Sequence, residues 1–202
     1  MEILLATGNA HKKDELERIL APHRLLIPAE IGVEFDPEET GDTYLENALI
    51  KARALFEVSG GRPVLSDDSG LSVPAMKGAP GVYSARYGSD EAGRELESWE
   101  RNALLIEKMQ GFEGSRRQAF FVCCMVLIID EYRVFTAQET FDGLITDEPS
   151  GRGGFGYDPI FFVPELQKTV AELDAGEKDR ISHRGRAGVR IRALIENLEK
   201  VP

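Results

Sequence analysis

From Gln118 to Ile129 the chain is almost continuously apolar, with Phe121, Val122, Met125, Val126, Leu127 and Ile128 in one run. A segment with no polar face suits a strand covered on both sides, as in the centre of a sheet flanked by helices. Its apolar part, Ala119 to Ile129, is well short of the roughly 20 residues that cross a bilayer as a helix, so no membrane span is expected. Arg133 to Phe141 alternates, with Phe135, Ala137 and Phe141 on one side. It predicts a half-exposed partner strand, joined to the first across Asp130-Glu131. At 202 residues the chain can build one substantial core, and it is read as a single domain over 1–202, at most with two lobes.

The N-terminal half reads as alternating strands and helices. Ile3 to Ala6 is a short strand broken by Thr7-Gly8-Asn9, and His11 to Leu20 a helix with Leu16, Ile19 and Leu20 on one face. A strand, a small polar turn and a helix start make either a phosphate cradle or an ordinary capped junction. Lys12 lies in the first helical turn, where the helix dipole alone favours an acid. Arg24 to Pro28 is a second strand. Asp36 to Gly41 is an acidic loop, and Thr43 with Glu46 forms a capping box for the next helix. Tyr44, Leu45, Ala48, Leu49, Ala52, Leu55 and Phe56 give that helix its apolar stripe, leaving Asn47 and Lys51 on the other, solvated face.

Pro63-Val64-Leu65 then reads as the end of a strand with Ser66-Asp67-Asp68-Ser69-Gly70 at its tip. Neighbouring strand residues face opposite ways, so the two aspartates share one task only if the backbone turns there, which Gly70 permits. One carboxylate aimed outward suits Mg²⁺, a hard cation that takes one or two protein carboxylates and completes its shell with phosphates. A polar turn is the plainer alternative. The strand-helix-strand alternation brings Thr7, Glu39 and Asp68 to one end of a sheet, where open α/β sheets bind ligands.

Further on, Gly78 to Tyr87 is a glycine- and proline-rich loop, and Glu91 to Gln110 a helix with Leu96, Trp99, Ala103 and Ile106 inward, read as packing only. Gly151-Arg152-Gly153-Gly154-Phe155-Gly156 fits the dinucleotide fingerprint letter for letter, but the fingerprint must open a helix, and an extended Tyr157 to Phe162 follows. It is read as a close-approach loop in which Phe155 offers a face for a base. Between Lys178 and Arg192 lies the one strongly basic stretch of the chain, with Ser182 as a helix N-cap and Ile191, Leu194, Ile195 and Leu198 as a buried stripe. Such a helix start suits a polyphosphate or a solvated face. The formal net charge of -11 argues against bulk binding of nucleic acid or anionic membrane. Cys123 and Cys124 are adjacent, match no metal spacing and read as buried thiols; with no leader before Gly8, a soluble cytoplasmic protein is expected.

Seven motifs occur in order: Thr7-Gly8-Asn9-x-x-Lys12, Glu38-Glu39-Thr40-Gly41, Glu46-Asn47-Ala48-x-x-Lys51-Ala52, Asp67-Asp68-Ser69-Gly70-Leu71, Gly81-x-Tyr83-Ser84-Ala85-Arg86, Gly153-Gly154-Phe155-Gly156-Tyr157-Asp158-Pro159 and Ser182-His183-Arg184-Gly185. Together they make the chain resemble the inosine triphosphate pyrophosphatase family over essentially its whole length, the Glu91 to Gly114 stretch carrying no motif of it. The resemblance implies an elongated α/β fold, a long mixed β-sheet flanked by helices, two lobes with a central cleft, and a homodimer. It implies Mg²⁺-dependent hydrolysis of ITP, dITP and XTP to the monophosphate and pyrophosphate. By the same resemblance Thr7, Gly8, Asn9, Lys12 and Lys51 hold the triphosphate, Glu39 and Asp68 hold Mg²⁺, and Asp68 is also the proton acceptor. Ser69, Phe155, Gly156, Tyr157, Asp158, Lys178, His183 and Arg184 contact the nucleotide. The donors then available to the base edge are Arg184, His183 and the backbone N–H groups of the Phe155 to Asp158 loop. Asp67, acting through a second water, is an alternative base. A pyrophosphatase for modified pyrimidine nucleotides and a non-catalytic nucleotide sensor are the competing classes.

Overall fold

The computed structural model describes residues 1–200. Its strands are β1 (Glu2–Leu5), β2 (Arg24–Leu26), β3 (Val64–Ser72), β4 (Gln118–Asp130), β5 (Arg133–Ile145), β6 (Phe161–Val163) and β7 (Lys168–Thr169). Its α-helices are α1 (Ala10–Ile19), α2 (Tyr44–Val58), α3 (Ser89–Ala92), α4 (Ser98–Lys108), α5 (Ala175–Ile181) and α6 (His183–Leu198). The hydrogen-bonded strand order is β2-β1-β3-β4-β5-β6-β7. β1 runs parallel to β2 and β3, whereas β5–β6 and β6–β7 are antiparallel, so the sheet is mixed as expected. No helix among the described residues is long and apolar enough to cross a membrane.

Two compact units divide the chain: Met1–Ser69, Cys123–Glu139 and the chain from Asp179 form the first, and Gly70–Val122 with Thr140–Lys178 the second. In the first unit, side-chain alternation decides which helix covers which face. Ile3, Leu5, Leu65, Cys123, Met125 and Leu127 pack with Leu16 and Ile19 of α1 and Ala187, Ile191 and Ile195 of α6. Their sequence neighbours Leu4, Ala6, Val64, Val126 and Ile128 pack with Ala48, Ala52 and Leu55 of α2. The near-continuous apolar run of β4 is thus buried on both faces, for the reason its composition suggested. In the second unit Phe161 lies 4.5 Å from Phe121 and 5.5 Å from Phe141, centroid to centroid.

Several local readings need correction. The acidic pentapeptide is not a turn: β3 continues through Gly70 to Ser72. Asn47 and Lys51 are buried, because α2 packs polar partners on the face that looked solvated, while Leu45 is exposed. The second strand stops at Leu26, and Pro28 opens a 3₁₀ turn whose first position tolerates its missing N–H. The Glu91–Gln110 helix is two helices with a break at Gly93. The second buries Asn102 and Leu105; of the residues expected inward, Leu96 is buried just ahead of it, whereas Trp99 and Ala103 are exposed. Tyr157 to Phe162 is a 3₁₀ turn leading into β6 rather than one extended run. The Thr43–Glu46 capping box and the Ser182 N-cap are present as expected. Asp130 closes the β4–β5 turn by accepting from the N–H groups of Tyr132 and Arg133.

Candidate active site

Because β3 stays extended, Asp67 and Asp68 point to opposite faces. Asp68 lies on the α2 side, as do Val64 and Ser66, whose hydroxyl donates to the Ala48 carbonyl at 2.6 Å. There Lys51 Nζ donates to Asp68 Oδ1 at 2.7 Å and meets Glu39 Oε1 at 3.1 Å. The Glu39 loop is tied to α2 through Asn47, whose Oδ1 accepts from the Gly41 N–H at 2.8 Å. A Cβ at Gly41 would lie 2.6 Å from that of Glu46, so the glycine is what lets the loop approach. Burial pushes the Asp68 carboxyl above its ordinary value despite the neighbouring ammonium. Burial works against the Lys51 charge, but Asp68 and Glu39 outweigh it and hold Lys51 above its usual value.

Asp67 lies on the other side, among α1, α6 and β4, and is 1 % exposed. Arg184 Nε donates to its Oδ2 at 2.9 Å, and Arg184 Nη1 donates to Glu15 at 2.8 Å. Lys12 Nζ bonds Asp67 Oδ1 and also reaches the Asp67 main-chain carbonyl at 3.3 Å. The Ser69 hydroxyl donates to Asp67 Oδ1 at 3.3 Å and accepts from Arg184 Nη2 at 2.7 Å. The Cys123 thiol donates to Asp67 Oδ2 at 3.0 Å. Burial alone would raise the Asp67 carboxyl, but Arg184 and Lys12 overcome it and hold it well below the usual range. Burial and then Asp67 push the Cys123 thiol well above its ordinary value, so it remains a protonated donor. Nearby, Asn9 caps α1, its side chain accepting from the N–H groups of His11 and Lys12. Thr7 Oγ1 accepts from Asn9 N–H at 3.1 Å. Gly8 leaves open space where a side chain would stand. His183 is buried at the start of α6, next to Arg184.

The remaining candidates gather in the second unit. Asp158 Oδ2 accepts from Phe155 N–H at 2.8 Å and from Lys178 Nζ at 2.6 Å. Lys178 Nζ stands 4.7 Å from the centroid of the Phe155 ring, a cation–π contact. Gly154 has φ +68°, and a Cβ there would collide with the Asp158 carboxylate. Tyr157 OH donates to the Ser84 carbonyl at 2.8 Å, and Asn102 Nδ2 donates to the Gly156 carbonyl at 3.1 Å.

The residues expected to act together therefore fall into three constellations: Lys51, Glu39 and Asp68; Lys12, Ser69 and Arg184 around Asp67; and Phe155 to Asp158 with Lys178. Sequence reasoning passed over four residues that build them. Cys123 lies inside an apolar run and Glu15 among charged neighbours, so neither shows its polar partner locally; Glu15 is buried beside Leu16 and meets Arg184 from α6. Asn102 and Ser84 lay in stretches read as packing and loop.

No group of three or more His, Cys, Asp or Glu side chains among the described residues converges as a metal cage. The two carboxylates Glu39 and Asp68 nonetheless fit Mg²⁺, and Asp68 Oδ2 is buried with no hydrogen-bond partner among the described residues. Such an orphan acceptor calls for a cation or a water.

The sequence model of the Ham1 family matches residues 3–194. A dITP/XTP pyrophosphatase of Treponema denticola is 50% identical over 196 residues, covering 97% of this chain and 99% of that protein. A dITP/XTP pyrophosphatase of Thermus thermophilus is 45% identical over 204 residues, covering 100% and 94%. Among solved structures, a HAM1 protein from Coxiella burnetii superposes with a TM-score of 0.86 at 40% identity, covering 98% of this chain and 99% of that one.

Proposed function

The chain belongs to the Ham1 family, and on that premise we propose that it hydrolyses deaminated purine nucleoside triphosphates (dITP, XTP and ITP) to the monophosphate and pyrophosphate, with Mg²⁺ held by Glu39 and Asp68. The observation that carries the reading is Asp68. It is a buried carboxylate of raised pKa, with one oxygen on Lys51 and the other unpartnered. A carboxylate pushed upward is a better proton acceptor than an ordinary aspartate, and so suits orientation and deprotonation of an attacking water.

Lys12, Lys51 and Arg184 bring three positive charges to the first unit's site, against four negative ones on Glu15, Glu39, Asp67 and Asp68. A formal charge of minus one does not attract a triphosphate. Mg²⁺, when bound, would reverse that sign, screen the phosphate oxygens and act as a Lewis acid. Lys51, beside Glu39 and Asp68, and Thr7, Gly8, Asn9 and Lys12 of the β1–α1 turn would meet the phosphates. Phe155 supplies the stacking face, with Gly156, Tyr157, Asp158 and Lys178 around the nucleoside. Arg184 is 2 % exposed and held by Asp67, Glu15 and Ser69, which would fix it, with His183 and the loop N–H groups, as a donor to the base edge. The protein is taken as a cytoplasmic homodimer that binds neither nucleic acid nor membrane.

Pyrophosphate release tests this directly. With Mg²⁺ the protein is expected to release pyrophosphate from ITP, dITP and XTP, and to prefer them to ATP and GTP by at least about 10²-fold in kcat/KM. Release of orthophosphate instead, or equal rates on ATP and ITP, would overturn the assignment, and loss of only the Mg²⁺ dependence would overturn the metal.

A further inference from the structure

We propose that Asp67 is a positioning residue of this site: a buried anion that holds Lys12, Ser69 and Arg184 in place, with the Cys123 thiol completing its shell, and neither a base nor a metal ligand. The inference rests on the reading above, in which Asp68 faces the reacting phosphate.

The strand separates the two aspartates. On an uninterrupted β3 only one of two consecutive side chains can face α2, where Glu39 and Lys51 stand, and that one is Asp68. Asp67 is left facing α1, α6 and β4, and there its acceptor capacity is used up. Oδ1 takes the Lys12 ammonium, the Ser69 hydroxyl and, at 3.4 Å, Arg184 Nη2; Oδ2 takes Arg184 Nε and the Cys123 thiol. A carboxylate offers about four lone-pair sites, so none remains to order a water or bind a cation. Exposure of 1 % leaves no path for one either.

What Asp67 does have is leverage on groups nearer the substrate. Lys12 is half-buried, and Asp67 grips its ammonium with both its carboxylate and its main-chain carbonyl. Ser69 is oriented from two sides, giving its proton to Asp67 and its lone pair to Arg184. Arg184 in turn is tied to α1 through Glu15, so one anion links α1, β3, β4 and α6. Long cationic side chains lose rotamer freedom when they bind phosphate, and holding them beforehand removes that cost from the binding step. The expected signature is a change in substrate affinity rather than in the chemical step. The thiol fits this shell because it is small, apolar enough for the interior, and still a donor.

Asp67→Asn and Asp68→Asn compared on ITP at saturating Mg²⁺, across pH, test the proposal. Asp67→Asn is expected to raise KM about tenfold while kcat stays within about threefold and the acid limb of kcat against pH keeps its wild-type position. Asp68→Asn is expected to lose kcat. A fall in kcat of about 10²-fold or more in Asp67→Asn, or loss of its acid limb, would overturn the proposal, and so would an unchanged KM. Should Asp67→Asn fail to fold, Cys123→Ala decides: KM rises about threefold at unaltered kcat, and Cys123→Ser, which restores a donor, brings it back. No change in KM for Cys123→Ala, or no rescue by serine, counts against it. Wild-type turnover of ITP is the internal control, and its absence would sink the functional reading itself rather than the division of labour between the aspartates.

Discussion

Gly185 stands where the start of α6 passes the carbonyl of Asp179, and Gly185→Ala tests how rigidly that crossing holds the site. A Cβ at position 185 would fall inside the envelope of the Asp179 carbonyl oxygen and 2.7 Å from its carbon. The obstacle is backbone, and it is anchored, because the Asp179 carboxylate accepts from Arg18 Nε at 2.7 Å and from Nη2 at 3.1 Å. The helix start must move instead. Moving it strains the N-cap, in which Ser182 Oγ accepts from Gly185 N–H at 3.1 Å. Overpacking of this kind costs about 1–3 kcal/mol and a lost cap about 1 more. Together they lower the melting temperature by about 5–15 °C for a chain of this length. Arg184, the preceding residue, moves with the backbone, so KM for ITP rises as well. Gly188→Ala is the comparison: its Cβ would meet the Ile19 Cγ2 methyl at 2.6 Å, a side chain that can turn aside, and its cost stays near the low end of that range. Thermal melts and ITP kinetics on both variants give the answer. A Gly185→Ala protein melting within about 2 °C of wild type, with the same KM, would show that the crossing is not a fixed point.

Three further outcomes are expected. Asp68→Asn loses turnover by about 10²–10⁴-fold without a lower melting temperature, since burial already disfavours its charge; retained turnover at saturating Mg²⁺ would remove Asp68 from the chemistry. Asp67 is held below its unfolded value and so binds fewer protons folded than unfolded. Its stabilisation is therefore complete above the ordinary carboxylate range, near about 4, and is lost as pH falls through the folded value. Chemical denaturation between pH 3 and 7 (roughly the span that brackets an ordinary carboxylate) should show an acid-side decline that flattens in Asp67→Asn, and parallel curves would contradict it. Lys178→Met removes the partner of buried Asp158 and the cation over Phe155, costing about 3 kcal/mol in stability and weakening inosine as well as ITP binding; calorimetry showing a loss for ITP alone would place Lys178 at the phosphates.

What could be read from the chain was what repeats or caps. The alternation of strands and helices, the buried β4, the Thr43–Glu46 box and the Ser182 cap follow from local periodicity and hydrogen-bonding chemistry, and each stands in the structure. The GxGxxG-like loop leads into a 3₁₀ turn and β6 rather than opening an α-helix, so the setting of a dinucleotide fingerprint is not there. What escaped was polarity satisfied by tertiary partners. Lys51 and Asn47 have the spacing of a solvated face, yet Asp68, Glu39 and the Gly41 N–H hold them inside. Glu15 looks like a surface acid until Arg184 arrives from α6, far along the chain. Trp99 shares its helical spacing with Leu96, Ala103 and Ile106, whereas the buried face of α4 follows Asn102 and Leu105. The aspartates themselves were legible as a pair but not as two separate jobs, because Gly70 suggested a turn that hydrogen bonding of β3 does not make.

The uninterrupted β3 also makes the site sensitive to reading frame along the strand. A slip of one residue exchanges the faces of every side chain. Sliding β3 one way would present Ser66 to the Arg184 pocket and leave Asp67 to meet Lys51; sliding it the other way would keep an aspartate for Arg184 and offer Ser69 to Lys51. Either slip abandons one carboxylate position and turns Leu65 and Val64 to the wrong cores. Insertions and deletions should therefore be tolerated in the Gly60-Gly61 turn, where both residues already use the left-handed region that absorbs extra chain. They should be lost from any library between Val64 and Ser69. Length variation in this protein is confined by a pair of identical acids that a single extra residue would put out of step.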